Sequence, residues 1–123
     1  MNNIIFSEAI KLAIEDSMIE NKKVLCLGLG TTDPKGIFGT TQGLQEIFGE
    51  QRVFDIPTSE NAVTGICVGL AIAGYRPIFT HQRVDFALLS LDQIINNAAK
   101  IHYMFGGELK CPIVIRMVIG RGW

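Results

Sequence analysis

No apolar run in the chain approaches the roughly 20 residues that a bilayer-spanning helix needs, so no membrane partner is expected. A basic stripe is also missing. Eleven Lys and Arg face twelve Asp and Glu, for a formal charge of −1, which argues against nucleic acid as a ligand. Paired cysteines are absent. Cys26, Cys67 and Cys111 lie far apart, are odd in number and form no C-x-x-C or Cys/His grouping, so they read as reduced core or near-core residues of an intracellular protein. The opening stretch MNNIIFSEAIKLAIEDS is interrupted by Glu8, Lys11 and Glu15. It has neither the apolar segment of a signal peptide nor the acid-poor, arginine-rich character of a transit peptide, and a cytoplasmic location is expected. The sequence has no internal repeat, low-complexity tract, P-loop, zinc spacing or nucleophile elbow.

What is present is a hydrophobic share of 48% and a charged share of 19% in 123 residues. One domain with a large core is expected, with some apolar surface kept for a partner. Phe6, Ile10, Ile14 and Met18 recur every fourth residue and predict an amphipathic helix from 4 to about 20. VLCLGLG (24–30) reads as a buried strand entering a glycine turn, 31–43 as a loop, 44–49 as a short helix and 52–54 as a second strand. A helix follows at 59–74, a strand at 76–81, a long helix at 85–105 closed by Gly106-Gly107, and a strand at 112–119. The last strand is apolar and β-branched, as a strand covered on both faces would be. Helix and strand alternate, which predicts a three-layer α/β/α sandwich on a mainly parallel sheet. The sequence stops at GRGW, directly after a strand, and an incomplete domain is expected over 1–123.

Three features invite chemistry. Gly28-Leu29-Gly30 follows a strand but has no third glycine, and Pro34 stands where a dinucleotide-binding helix would begin. Ala62, Gly65, Gly69 and Ala73 place small residues along one side of the 59–74 helix. Glycine inside a helix costs about 1 kcal/mol relative to alanine, so a packing reason is implied, either within the domain or against another subunit. Glu60 stands in the first turn of that helix, with Thr58 or Ser59 available as N-cap. A first-turn carboxylate suits the helix dipole. The position also follows the carboxyl end of a strand, where open α/β sheets place ligands. His81 and His102 lie 21 residues apart with no carboxylate partner evident, and read as strand-end and helix-surface residues.

The stretch FGEQRVFDIPTSENAVTGICVGLAIAGYRPIF resembles the β subunit of thiamine-diphosphate-dependent 2-oxo-acid dehydrogenase E1 enzymes. The likeness continues through DFALLSLDQIINNAAKIHYMFGGELKCPIVIR and back through GIFGTTQGL. It implies the pyrimidine-binding domain shared with transketolases. By that resemblance Glu60 is the acid that bonds N1′ of the cofactor's aminopyrimidine ring and promotes the tautomer that deprotonates the thiazolium. Phe86 packs on the pyrimidine, and Thr58 and Gln82 line the same pocket. The Ile113 carbonyl corresponds to a ligand of a structural monovalent cation such as K⁺. Mg²⁺ and the diphosphate would be held by an α-type partner subunit, so the isolated chain is expected to be inactive.

The sequence departs from the family pattern at two places. Leu29 replaces the first acid of a G-E-D pattern, while Asp92 keeps its place in the acidic set to which that acid belongs. Thr80-His81-Gln82-Arg83-Val84 replaces an E-F-M-T-F pattern. His81 and Arg83 are therefore open to two readings, as residues facing an anionic substrate or as solvated loop residues. A non-catalytic assembly or regulatory module, or part of a transketolase-like carboligase, is the alternative function. Self-association through the Gly65/Gly69 helix is the alternative partner.

Overall fold

A computed structural model describes residues 3–120. Its centre is a four-stranded sheet in the order β2-β1-β3-β4, with β1 Val24–Leu27, β2 Val53–Phe54, β3 Arg76–His81 and β4 Val114–Met117. All three pairings are parallel, with Cys26 opposite Val53 and Ile78, and Phe79 opposite Ile115. Parallel strands require crossovers, and five helices occupy the connections and the N-terminal segment: α1 Phe6–Glu20, α2 Leu44–Phe48, α3 Glu60–Ile72, α4 Val84–Ala87 and α5 Ile101–Met104.

Side chains of a strand alternate between faces, and β1 is buried on both. Val24 and Cys26 join Val53 and Ile78 beneath Ile14 and Met18 of α1 and Leu44 of α2. Leu25 and Leu27 join Phe79 on the opposite face beneath Val63 and Cys67 of α3. The expected three-layer sandwich is therefore present. Arg52 fastens one edge. Its guanidinium donates to the carbonyls of Met18, Asn21 and Val24 at 2.9–3.2 Å and lies 5.2 Å from the centre of the Phe48 ring.

The structure corrects three expectations. The predicted helix 85–105 is not one α-helix. After α4 it tightens to a 3₁₀ turn at Leu88–Ser90 and then widens to a π-helical stretch at Gln93–Ala98 before α5. Short polar side chains along it bond one another: Asn96 donates to Asp92 and Asn97 to Gln93, both at 2.8 Å. The 3₁₀ turn carries the fully buried Ser90. Departures of this kind from α geometry concentrate at functional sites.

The last strand is shorter than 112–119 and is not covered on both faces. Among the described residues β4 pairs only with β3, and Val114 and Met117 are exposed. Its apolar residues are thus left partly uncovered by the described residues. The periodic line of α1 is buried only at Ile14 and Met18. Phe6 is 82% exposed, at the rim of a cavity of about 430 Å³ shared with Phe38 and Ile119. The Gly106-Gly107 ending is as expected: both residues have positive φ, 60° and 87°, which glycine adopts without strain.

Candidate active site

The carboxyl ends of β1, β2 and β3 meet on one side of the sheet, and the turns leaving them enclose a small pocket. Leu29 follows β1, Ile56 follows β2, Glu60 opens α3, His81 ends β3, and Gln82 and Phe86 come next in the chain. The cavity measures about 10 Å³, room for about one water molecule.

Close backbone approach shapes this end of the sheet. A Cβ on Gly28 would lie 2.5 Å from the Thr80 carbonyl oxygen, and Gly30 has a φ of 78°, a left-handed conformation that side chains rarely adopt, so both positions favour glycine. Asp55 ties the two turns together. Its Oδ1 accepts from the amides of Gly30 and Ile56, each at 2.8 Å. The glycine pair that invited a dinucleotide reading therefore serves chain approach beside the pocket.

Glu60 is 7% exposed although it carries a carboxylate at a helix start. Among the described residues no hydrogen bond engages its carboxyl oxygens; its bonds are made through its backbone carbonyl. Ser59 is the N-cap residue of α3 but makes no side-chain capping bond, so the predicted Thr58 or Ser59 cap is not formed. Thr58 is exposed and is not part of the pocket wall. Phe86 and Gln82 do line the pocket with Glu60. Ile113 lies elsewhere, ahead of β4, packed against the Leu25–Phe79 core.

His81 occupies its strand end but is not a solvated residue: it is 3% exposed. Its ring lies 4.4 Å from that of Phe79, and its Nε2 is 3.3 Å from Ser90 Oγ. Burial lowers its pKa below the usual 6.5, and the charge of Glu60 opposes that shift. Arg83, by contrast, is partly exposed and paired with Asp85 at 3.3 Å. His102 is a surface residue, as expected, with Nδ1 2.7 Å from the Leu109 carbonyl oxygen. Asp92 is exposed and held by Gln93 and Asn96.

Thr64 and Ser90, both fully buried, were not legible as site residues. The available signal was slight. Thr64 is a hydroxyl four residues after Glu60 in an apolar helix, and Ser90 interrupts a leucine run. The cysteines are free, and Cys26 and Cys67 are fully buried. Desolvation raises the Cys26 thiol to about 11 and the Cys67 thiol to about 12, which keeps both protonated and unreactive.

Fold and pocket together define an α/β domain with a small pocket at the carboxyl ends of parallel strands. The family model described as transketolase, pyrimidine binding domain, matches residues 2–122, and the chain belongs to that family. Among its relatives, the pyruvate dehydrogenase E1 component subunit beta of Rickettsia conorii is 45% identical over 109 residues, 89% of this chain and 33% of that protein. The 2-oxoisovalerate dehydrogenase subunit beta of Bacillus subtilis is 40% identical over 122 residues, 99% of this chain and 37% of that protein. A chloroplastic pyruvate dehydrogenase E1 subunit beta-4 of Oryza sativa is 39% identical over 121 residues, 98% of this chain and 30% of that protein. The chain thus spans about a third of the length of these relatives. No helix among the described residues is long and apolar enough to cross a membrane.

Proposed function

We propose that this chain is the pyrimidine-binding part of a β-type E1 subunit of a thiamine-diphosphate-dependent 2-oxo-acid dehydrogenase, and that it works with an α-type partner. The observation that carries the reading is a buried carboxyl, Glu60, unbonded among the described residues and facing the same pocket as an aromatic, Phe86, and an amide, Gln82. That donor set fits an aminopyrimidine: an acid for a ring nitrogen, an aromatic face for stacking and an amide for a polar edge. The likeness to pyruvate and 2-oxoisovalerate dehydrogenase β subunits supports the reaction class.

Glu60 would hold and exchange a proton at the ring nitrogen, and its burial keeps water from competing. Phe86 would pack on the ring face and Gln82 would bond its rim. Thiamine diphosphate, when bound, supplies the carbon nucleophile and electron sink for 2-oxo-acid chemistry. With room for only about one water on this side, the opposite wall, the diphosphate and Mg²⁺ fall to the α-type partner. We assign the Ile113 carbonyl to a structural monovalent cation such as K⁺, and Thr58 to the outer rim of the site. Three free thiols suit a reducing compartment, and we place the complex in the cytoplasm.

Self-association through α3 is part of the proposal. Gly65 is accounted for within the chain, because a Cβ there would meet the Gln93 side chain at 3.3 Å. Among the described residues nothing lies within 4 Å of a Cβ built on Gly69, which lies on an exposed side of α3 with Ile66 and Ile72. No described residue requires glycine there, and we assign the position to close contact with a second copy.

Reconstitution with an α-type subunit tests the central assignment. Glu60→Gln is expected to lower 2-oxo-acid turnover roughly 100-fold or more while leaving assembly intact. Unchanged turnover in the assembled Glu60→Gln complex would remove Glu60 from the mechanism.

A further inference from the structure

Behind the pocket runs a buried chain of polar groups. Thr64 Oγ1 lies 2.7 Å from the Glu60 carbonyl oxygen and 2.8 Å from Ser90 Oγ. Ser90 Oγ lies 3.3 Å from His81 Nε2 and 3.2 Å from the same Glu60 carbonyl. These groups come from three separate elements, α3, the 3₁₀ turn and β3, so the sheet and both following segments meet here. A buried polar chain of this kind leaves a definite set of donors and acceptors to be satisfied.

Proton bookkeeping fixes its direction. A hydroxyl donates once, and a neutral imidazole donates at one nitrogen and accepts at the other. Suppose Thr64 donates to the Glu60 carbonyl, Ser90 to Thr64, and His81 Nε2–H to Ser90. Each of the contacts at 2.7, 2.8 and 3.3 Å then holds one proton, and the Ser90 Oγ–Glu60 carbonyl pair at 3.2 Å holds none, as it also does in the alternative below. Suppose instead that Ser90 donates to His81 Nε2. Thr64 has a single proton for two partners, so one of the contacts at 2.7 and 2.8 Å holds none. Two buried oxygens would then face each other, lone pair to lone pair, at the distance an O–H···O bond sets. The first arrangement is favoured by about the cost of an unsatisfied buried polar contact.

We propose that His81 stands in the wall of the Glu60 pocket as the Nε2–H tautomer, with Nδ1 as hydrogen-bond acceptor for an N–H or O–H group of the bound molecule. Among the described residues Nδ1 has no hydrogen-bond partner, and the ring lines the pocket. The depressed pKa agrees, since a neutral ring retains that acceptor. Of the charged groups nearby, Glu60 on α3 favours the imidazolium, Arg116 on β4 is bonded to Thr80, and Arg83 is paired with Asp85. The pocket wall thus presents a lone pair beside a carboxyl. It selects a donor-bearing group and offers an anion neither charge nor donor. The inference deepens the proposed function by naming a specificity residue of the same site, and it rests on that reading only for the identity of the ligand.

Long-range ¹H–¹⁵N spectra of the full chain labelled at histidine read the tautomer directly. The expected pattern for His81 is a protonated Nε2 and an unprotonated Nδ1 at pH 7–8, retained in Thr64→Ser and lost to a tautomer mixture in Ser90→Ala. A protonated Nδ1 at pH 7, alone or as imidazolium, overturns the proposal. Three probes at millimolar concentration then test the acceptor. 4-Amino-2-methylpyrimidine brings N–H, hydroxyacetone brings O–H, and acetate brings neither. The Nδ1 resonance is expected to move with the first if the acceptor serves the ring, or with the second if it serves the substrate, and not with acetate. A response to acetate equal to the others, or no response to any probe, removes the acceptor role. The tautomer is read without cofactor, partner or turnover, so its failure is separable from that of the Glu60→Gln test.

Discussion

Glu60 and His81 are two ionisable side chains buried at one sheet end, and the chemistry of the site depends on how each is held. The Glu60 backbone carbonyl is fixed by Thr64 while its carboxyl is left unbonded among the described residues, which suits the proton exchange proposed for it. His81 is held at Nε2 and desolvated, so the folded state binds its proton less tightly than the unfolded chain. Above pH 6.5, the usual histidine pKa, both states are neutral at this residue. As the pH falls below that value the unfolded chain takes up the proton first, so stability falls with acidification. The expected slope from this one group is at most about 1.4 kcal/mol per pH unit, and His81→Phe should flatten it. Urea denaturation between pH 8 and pH 5.5 measures this. An identical slope in His81→Phe would show that another group carries the acid sensitivity.

At the scale of elements, the junctions carry more than the elements themselves. The last carbonyls of α1 lack partners within the helix, and Arg52, just ahead of β2, supplies donors to Met18 and Asn21 together with Val24 at the start of β1. One planar, five-donor group thus fastens α1 to two strands, which an ammonium cannot reproduce. Arg52→Ala is expected to cost about 2–4 kcal/mol in urea denaturation with an unchanged m-value, and Arg52→Lys to recover less than half of that loss. A cost below about 0.5 kcal/mol would place the restraint elsewhere.

At the scale of the whole molecule, α3 and β4 present apolar surface that the described residues do not cover. Gly69 offers a clean discrimination, because its surroundings within the chain are open. Glycine is a poor helix former, so Gly69→Leu in a monomer should stabilise the fold by roughly 0.5–1 kcal/mol. If α3 packs closely against a second copy, the same substitution should weaken association at least about tenfold, since a bulky side chain holds the backbones apart. Sedimentation at several concentrations, beside urea denaturation of the same samples, reads both effects. Association unchanged by Gly69→Leu would return that glycine to an intrachain role.

The alternation of helix and strand was legible because it rests on local periodicity and turn residues: Gly106 and Gly107 end their helix, and β1, α3 and β3 fall where their patterns place them. Glu60 was legible as a position, since a carboxylate opening a helix after a strand is a local pattern. Its burial was not, nor was the failure of Ser59 to cap the helix, because both depend on what packs against that first turn. The broken path of 84–104 was hidden for the same reason. Its apolar spacing suits an α-helix, and only packing against α3 turns Ser90 inward to meet Thr64 and His81. Gly28 was read as part of a glycine turn, but contact with the Thr80 backbone, some 50 positions further along the chain, decides why nothing larger fits. By itself the sequence determined the order and type of elements, because those follow from interactions within a few residues. Only the tertiary structure decided which polar groups meet at the sheet end, because a parallel sheet joins segments that the chain keeps far apart.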